Sequence, residues 1–415
     1  MRGVRVWSRL LGVEGAVVEF VELEEATGPL VVSVRLLACD RSRCGLCQRR
    51  SPGYDTGDGR RRWRALDLGT TRAYLEADAP RVTCPEHGVV VAAVPWARHG
   101  MGHTRSFDDT VAWLAVHTSK SAVVELLRVA WRTVGSIVAR VVADARPGHD
   151  GLDGLVRIGI DEISHRRGQR YLTVVVDHDS GRLVWAAPGR DERTLGAFFE
   201  ALGPERAAAI ELVSADAAEW IGRVVARHCP NASLCLDPFH VVAWATEALD
   251  VVRREVWNAA RRGGEAILAR ELKGARYALW KNPEHLTDRQ RGKLAWIAAA
   301  NEPLYRAYLL KEQLRAVFAL RGEAGMALLA AWLRWARRSR IGAFVELARK
   351  VTKNRTGIEA TLVEGLSNAR VEAVNTKIRL LTRIAFGFRS PAALIALAML
   401  GLGGLCPPLP GRRLA

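Results

Sequence analysis

The stretches VRIGIDEIS (residues 156–164) and QRYLTVVVDHDSGRLVWAAP (169–188) decide the fold of this 415-residue chain. The first is a short apolar run that predicts a buried strand. The second has two such runs around a turn at 179–181, which predicts a hairpin. Two further apolar runs, AIELVSAD (209–216) and ASLCLD (232–237), alternate with segments of helical pattern. The predicted order is therefore three antiparallel strands, followed by strands that helices connect in parallel.

This order of elements predicts an RNase H-like fold, in which the fourth strand lies beside the first. Asp161 lies within the first, central strand and Asp216 follows the fourth, so their carboxylates are expected to face each other. Both are predicted to be catalytic acids. Glu162 is expected to be a poorer ligand, because neighbouring side chains on a strand point to opposite faces.

A third acid comes from the final patterned helix, EGLSNARVEAVNTKIRLLTRIAFGF (364–388). Asn368, Glu372, Asn375 and Arg379 are spaced so that they share one face of this helix. That face is either a wall of the catalytic site, with Glu372 as the third acid, or a solvated helix face. An apolar stripe beside it would pack on the sheet, and it consists of Val371, Val374, Ile378 and Leu381.

Three converging carboxylates predict a site for two Mg²⁺ or Mn²⁺ ions, about 3.5–4 Å apart, because these hard cations prefer oxygen ligands. Such a pair activates a water or a DNA 3′-hydroxyl and stabilises the leaving oxygen of a phosphodiester. Asp161, Asp216 and Glu372 are the predicted ligands.

Two pairs of metal-ligand residues lie in the N-terminal region, CGLC with Cys44 and Cys47, and CPEH with Cys84 and His87. Each pair can place two ligands on one side of a tetrahedral ion, so one structural Zn²⁺ is predicted, with free thiols as the alternative. Cys39 is either a spare ligand or a small core residue at the end of a strand. The nearby basic stretch SPGYDTGDGRRRWR (51–64) is predicted to be a loop.

Three amphipathic segments with short connections, at 106–119, 120–129 and 131–146, predict helices. The last two resemble a helix-turn-helix with a turn at 129–130, although an ordinary helical linker has the same pattern. Lys120 and the residues that open the second helix, Arg132 and Thr133, are predicted to contact DNA. The side chains predicted to pack the two helices together are Val123, Leu126, Leu127, Val134 and Ile137.

Charge and composition narrow the class of protein. The chain carries 61 Lys and Arg against 44 Asp and Glu, a formal net charge of +17, which favours a nucleic-acid partner. Seven Cys in a chain of this length do not form a disulfide framework and are typical of a reducing compartment. No window approaches the roughly 18 apolar residues of a membrane helix, and the start lacks a secretory signal. We expect a cytoplasmic protein associated with the nucleoid and not with a membrane.

These segments predict an α+β multidomain chain. Residues 250–355 are almost wholly helical and are expected to contact DNA or a second protomer. Within them, WLRWARRSR (332–340) either stacks its Trp side chains on bases or buries them. The predicted domains are a zinc-binding domain at 1–100, a helix-turn-helix at 104–147, the first part of the RNase H-like core at 155–250, a helical insertion at 251–355, and the C-terminal helices of the core at 356–405.

Several motifs in order resemble the bacterial DDE transposases of the ISL3 insertion-sequence family: IGIDEISHRRGQRYLTVVVDHDSGRLVWAAPGR, SADAAEW, CLDPFHVV and LSNARVEAVNTKIR. The resemblance covers nearly the whole chain. It implies binding to the terminal inverted repeats of an insertion sequence, cleavage at its ends and strand transfer into target DNA. It also implies at least a homodimer, because two ends are held together. His87 departs from the family pattern, in which many relatives carry a Cys.

The second acid has a rival in Asp237, which follows the fifth strand in the motif DPFH. Strand order favours Asp216, since the fourth strand lies beside the first and the fifth does not. Mutator-like and hAT transposases are similar in carrying a Cys/Asp-x-x-His element beyond the second acid. Asp237 and His240 are therefore predicted to support the site by orienting DNA or carrying a proton.

Two other functions share these features. A host nuclease on the same fold would cut DNA without joining the 3′ end to a target. A catalytically silent or domesticated transposase would act as a DNA-binding regulator, although the three acids speak against loss of activity.

Overall fold

The computed structural model describes residues 6–8, 10–11, 13, 15–24, 28–37, 41–148, 150–166, 168 and 170–412. Cys39, the predicted spare zinc ligand, lies outside the described residues. The chain divides into two compact units, one formed by 1–151 together with 378–415 and the other by 152–377.

The first unit begins with two small sheets. One sheet has the strand order β1-β2-β5-β4 and the other has β3-β6-β7. The apolar runs at 16–23 and 30–36 each form a strand. The prediction of a loop at 51–64 is wrong, because Trp63 is buried on one of two strands in this stretch and cross-strand ion pairs hold that strand. The strands are β1 (Ala16–Leu23), β2 (Leu30–Leu36), β3 (Gly53–Asp55), β4 (Arg60–Arg64), β5 (Ala73–Asp78), β6 (Arg81–Cys84) and β7 (Gly88–Val91).

Three helices follow in this unit, as predicted: α1 (Arg105–His117), α2 (Lys120–Leu127) and α3 (Trp131–Ala145). Each of the first two begins at a capping hydroxyl, because Thr104 and Ser119 accept hydrogen bonds from backbone amides of the first turn. Arg128 adopts a left-handed conformation and ends α2, which makes the turn into α3 tight.

The second unit contains a five-stranded sheet of order β10-β9-β8-β11-β12. β8, β9 and β10 pair in antiparallel fashion, whereas β11 runs parallel to both β8 and β12. This is the predicted strand order, with the first strand in the centre. The strands are β8 (Arg157–Arg166), β9 (Arg170–Asp177), β10 (Leu183–Pro188), β11 (Leu212–Ala215) and β12 (Ser233–Leu236).

Helices cover one face of this sheet because their apolar stripes pack on its Val and Ile side chains. α4 (Glu192–Leu202) and α6 (Glu219–His228) bury Phe198 and Val224 against Ile158 of β8. The short helix α5 (Pro204–Ala208) connects α4 to β11.

Eight helices occupy the chain between β12 and residue 364 and share a core of their own. Trp332 is fully buried and donates its indole N–H to the carbonyl of Leu310 at 2.8 Å. It therefore cannot stack on DNA bases, and the alternative of a buried Trp is confirmed at this position. The helices are α7 (Pro238–Arg262), α8 (Ala266–Lys273), α9 (Arg276–Trp280), α10 (Asp288–Ala300), α11 (Glu302–Val317), α12 (Gly322–Arg338), α13 (Gly342–Lys353) and α14 (Arg355–Glu364).

The last two helices divide the predicted C-terminal segment 356–405 between the two units. α15 (Ala369–Ile384) crosses the boundary between the units at 377–378. α16 (Pro391–Leu402) packs against α3 and α1 of the first unit, because its apolar residues, including Leu394 and Leu400, are buried there.

We expect Gly159→Ala to weaken the packing of α15 against the sheet. A Cβ atom at Gly159 would lie 2.3 Å from Cγ2 of Val371 on α15 and 2.7 Å from Nε2 of His178. Backbone and side chains must shift to relieve this contact, so the free energy of unfolding should fall by about 1–3 kcal/mol in urea titrations. The matched control is Gly196→Ala on α4, where the added Cβ meets no atom within 4 Å. Equal stability of the two variants would contradict this packing.

Candidate catalytic centre, metal sites and DNA-binding surface

Asp161 and Asp216 meet where the pairing of two central strands ends. β8 pairs with β11 from Arg157 to Gly159, so Asp161 lies just past the last pair. Asp216 directly follows the last residue of β11. Carboxylate oxygens of Asp161, Glu162 and Asp216 all lie within 4.8 Å of one another. The two predicted acids therefore do face each other.

The expectation that Glu162 points away from this centre is wrong. β8 continues to Arg166 beyond its last pair with β11. Its edge on that side is therefore open, and a long side chain from either face can reach round it. The Glu162 side chain is 4% exposed and reaches the group formed by Asp161 and Asp216. Its Oε1 lies 3.4 Å from Nε of Arg190, a residue that the sequence analysis did not single out.

Two neighbours hold the Asp161 carboxylate in place. Its Oδ1 accepts a hydrogen bond from the backbone N–H of Glu162 at 2.7 Å, and its Oδ2 accepts one from Nδ2 of Asn375 at 2.7 Å. Burial raises the pKa of Asp161 to about 6, and the negative charge of Asp216 acts in the same direction. The group can therefore exchange a proton for a metal ion near neutral pH.

A histidine lies between two acids at the edge of this centre. Nδ1 of His240 is 2.7 Å from Oδ1 of Asp216 and 3.0 Å from Oδ2 of Asp237. Hydrogen bonds to Asp216 and Asp237 raise the pKa of His240 to about 10, so the ring is an imidazolium at neutral pH. The motif DPFH thus adjoins Asp216, the position that strand order predicts for it.

Two asparagines fix the start of α15 to the sheet. Asn368 and Asn375 are each 1% exposed, and Nδ2 of Asn368 donates to the carbonyl of Ile160 at 3.3 Å. Oδ1 of Asn368 accepts a hydrogen bond from Oγ of Ser214 at 2.5 Å. The sequence prediction did not include Ser214. Its position two residues before Asp216 is the signal that places both side chains on one side of the chain.

Glu372 lies apart from the buried carboxylates. It is exposed on α15 and, among the described residues, is not part of the group that surrounds Asp161. It lines a cavity of 320 Å³ together with Asp237 and Phe239. Arg379 is also exposed on α15. The polar face of α15 therefore places its two amides in the centre and its acid on the open side.

The four predicted zinc ligands come together in the first unit. Ligand atoms of Cys44, Cys47, Cys84 and His87 all lie within 4.8 Å of one another. Nδ1 of His87 is 3.8 Å from Sγ of Cys44 and 3.6 Å from Sγ of Cys84. The contact with His87 lowers the pKa of Cys84 to about 6, which favours the thiolate that binds zinc. Three sulfurs and one imidazole suit a structural Zn²⁺.

The two helices of the predicted helix-turn-helix pack mainly as expected. Val123 and Leu127 of α2 and Val134 and Ile137 of α3 are buried. Leu126 is the exception, because it is 64% exposed and cannot pack the helices together.

Cationic and aromatic groups border the exposed start of α3. Nζ of Lys120 lies 4.7 Å from the ring centroid of Trp131, which is itself exposed. Arg132 is exposed and Thr133 is half-buried in the first turn of α3. The predicted DNA-contacting residues therefore share one accessible region at the start of this helix.

Comparisons with known proteins agree with this division of the chain. A family model described as "Transposase" matches residues 158–398, a zinc-finger model of transposases IS204/IS1001/IS1096/IS1165 matches 40–87, and a helix-turn-helix model of transposase family ISL3 matches 92–142. The transposase for insertion sequence element IS1557 of Mycobacterium tuberculosis is 60% identical, covering 99% of this chain and 98% of the relative.

The chain belongs to the ISL3 family of transposases. The transposase for insertion sequence element IS1001 of Bordetella parapertussis is 30% identical over 79% of this chain and 81% of that protein. Within the described part of this transposase, no helix is both long enough and apolar enough to cross a membrane. Its zinc-finger and helix-turn-helix regions imply binding to DNA.

We expect binding of Mn²⁺ to the transposase to weaken as the pH falls below about 6. Asp161, with its pKa raised to about 6, binds a proton below that pH, and the proton competes with the cation. Without metal the same shift makes the protonated folded state more stable, so this contribution to stability is lost as the pH rises through about 6.

Calorimetric titration with Mn²⁺ at pH 5 and pH 7.5, in buffers of different ionisation enthalpy, measures both affinity and proton release. An affinity independent of pH over this range would contradict the role given to Asp161.

We expect Cys44→Ser to abolish zinc binding in the first unit, because a hydroxyl is a poor substitute for a thiolate ligand. Metal analysis of the purified transposase should give about one zinc per chain for the natural sequence and a strongly reduced content for this variant. The variant should also unfold at a lower temperature. Cys406→Ser is the matched control, since Cys406 lies outside the cluster. Absence of zinc from the natural sequence would argue for free thiols, and about one zinc per chain in both variants would exclude Cys44 as a ligand.

Proposed function

We propose that this transposase binds the terminal inverted repeats of an insertion sequence, cleaves DNA at its ends and transfers the 3′ ends to target DNA. The core that does this is RNase H-like, with the helices between β12 and α15 inserted into it. The proposal rests mainly on one observation: the carboxylates of Asp161 and Asp216 converge, partly buried, just past the point where the parallel pairing of β8 and β11 ends. In open sheets with parallel strands, ligands bind outside the carboxyl ends of the strands.

Asp161, Asp216 and Glu372 would hold two Mg²⁺ or Mn²⁺ ions. The fit is supported by the oxygen-only ligand set, since ligand atoms of Asp161, Glu162 and Asp216 all lie within 4.8 Å of one another. Glu372 lies between Asn368 and Asn375 in the sequence, and both asparagines contact the centre, so Glu372 is the acid of α15 that could reach a metal from the open side. When bound, such ions activate a hydroxyl nucleophile and stabilise the leaving oxygen of a phosphodiester.

The chain's own residues then orient the acids and manage protons. Asn375 and the backbone N–H of Glu162 each fix one oxygen of Asp161, so the orientation of that carboxylate is set before substrate binds. His240 holds Asp216 and Asp237 at one side of the centre and can donate a proton to an oxygen near Asp216. Asn368 ties α15 to both β8 and β11.

DNA binding would involve both units of the chain. The start of α3, with Arg132 and Thr133, and the nearby Lys120 would contact the terminal repeat. The net charge of +17 supports extensive phosphate contacts. Holding two DNA ends together requires at least a homodimer, and we place its activity at the bacterial nucleoid in the cytoplasm.

Two alternatives give different products. A host nuclease would cleave DNA without joining its 3′ end to a second duplex, and a silent regulator would bind the repeat without cleaving it. Incubation of the purified chain with a labelled element end, a target plasmid and Mg²⁺ distinguishes all three on one gel.

We expect Asp161→Asn, Asp216→Asn and Glu372→Gln each to reduce cleavage by more than about 100-fold, because each removes a metal ligand. Asp237→Asn should reduce cleavage by about 10–100-fold, since it removes a group that orients a ligand and not a ligand itself. Cleavage rates of a labelled end at saturating Mg²⁺ measure both effects.

Binding of the end without added Mg²⁺ or Mn²⁺ is the control, and it should be similar for all four variants. Full cleavage by Asp216→Asn together with loss of cleavage by Asp237→Asn would transfer the role of second acid to Asp237.

A further inference from the structure

The backbone around Arg190 is fixed from both sides. The backbone N–H of Gly189 donates to the carbonyl of Tyr171 at 3.0 Å, and Oγ1 of Thr173 donates to the carbonyl of Gly189 at 2.9 Å. On the other side, the Asp191 side chain caps α4 by accepting a hydrogen bond from the backbone N–H of the third residue of the helix. Arg190 therefore extends from a short, well-anchored connection between β10 and α4.

The side chain of Arg190 is also oriented. Its guanidinium carbon lies 5.0 Å from the ring centroid of Tyr171, and its Nε lies 3.4 Å from Oε1 of Glu162. Stacking on the ring and pairing with the carboxylate restrict the rotamers of this long side chain. The Arg190 side chain is nevertheless 46% exposed, whereas that of Glu162 is 4% exposed. A positioned cation is thus partly open to solvent beside the catalytic acids.

The charges of the metal-free centre favour a cation beside it. His240 contacts Asp216 and Asp237, and ligand atoms of Asp161 and Glu162 lie within 4.8 Å of that of Asp216, so a phosphate that approaches before metal binds meets several carboxylates and one imidazolium. A guanidinium presents several N–H donors in a planar fork that matches two phosphate oxygens. The contact with Glu162 involves Nε, and half of the side chain remains accessible.

We propose that Arg190 binds a backbone phosphate of the DNA next to the catalytic carboxylates, and that Glu162 and Tyr171 are the residues that position its guanidinium. This inference rests on the proposed function and adds to it a phosphate contact and the two groups that prepare that contact.

A scan with neutral phosphates tests the contact directly. Duplexes that carry the terminal inverted repeat flanking the gene are made with a methylphosphonate at one position at a time. Binding is measured without added Mg²⁺ or Mn²⁺ and without a chelator, so that no cleavage occurs and the zinc site stays loaded. For the natural chain, each phosphate that is contacted should show a loss of affinity when it is neutralised. For Arg190→Ala, binding of the unmodified duplex should fall by about 10-fold, and neutralising one particular phosphate should have no further effect.

Further variants separate this role from a purely structural one. Arg190→Lys should recover part of the affinity and the sensitivity at the same phosphate, because it keeps the charge but loses the fork. Glu162→Gln should retain sensitivity at that phosphate with a smaller penalty, since it loosens the guanidinium without removing it. The matched control is Arg227→Ala, an exposed arginine near the end of α6 that lies away from Asp216.

The outcomes are distinct. If the natural chain shows no preference for its own repeat, the proposed function fails. If it binds the repeat and Arg190→Ala keeps the natural sensitivity at every phosphate, the function stands and this contact is overturned. An equal loss of one sensitivity in Arg227→Ala would also overturn it. The salt dependence of binding should become shallower by about one charge in Arg190→Ala only.

Discussion

The early end of the pairing between β8 and β11 is the constraint on which the candidate catalytic centre depends. The ladder stops at Gly159 and Ser214, while β8 continues for several residues and the chain leaves β11 at Asp216. Both faces of β8 become accessible from one side at that point. This single feature allows the carboxylates of Asp161 and Glu162 to meet the same neighbour, although they stand next to each other on a strand.

Converging carboxylates repel one another, and the surrounding residues show how the fold tolerates them. Burial without compensation would protonate them or force them apart. Here every acid has a compensating partner. Asn375 donates a hydrogen bond to Asp161, and Arg190 forms an ion pair with Glu162. His240 contacts both Asp216 and Asp237. These donors come from different elements, so the integrity of the centre requires α15, the start of α4 and the start of α7 to be in place together.

Much of this arrangement could be predicted from the sequence, because run lengths and the order of strands and helices determine which strand is central. The position of Asp216 beside Asp161 followed from that order. Glu162 could not be placed correctly, because alternation predicts the face from which a side chain leaves the strand, whereas the long Glu162 side chain reaches Asp216 where β11 no longer pairs with β8. Arg190 lies just after a Pro-Gly pair that indicates only a turn. The exposure of Leu126 depends on what covers α2, and periodicity does not report that.

His240, which contacts both Asp216 and Asp237, affects the charge of the acidic centre before any metal binds. Because the imidazolium of His240 neutralises part of the charge of Asp216 and Asp237, the acidic centre carries a built-in counterion from the moment the chain folds. The negative charge of this centre is therefore partly balanced before any divalent cation binds. The cluster of Cys44, Cys47, Cys84 and His87 contains no such counterion among its own members. The two groups of ligand residues thus differ in how much of their charge the folded chain balances by itself.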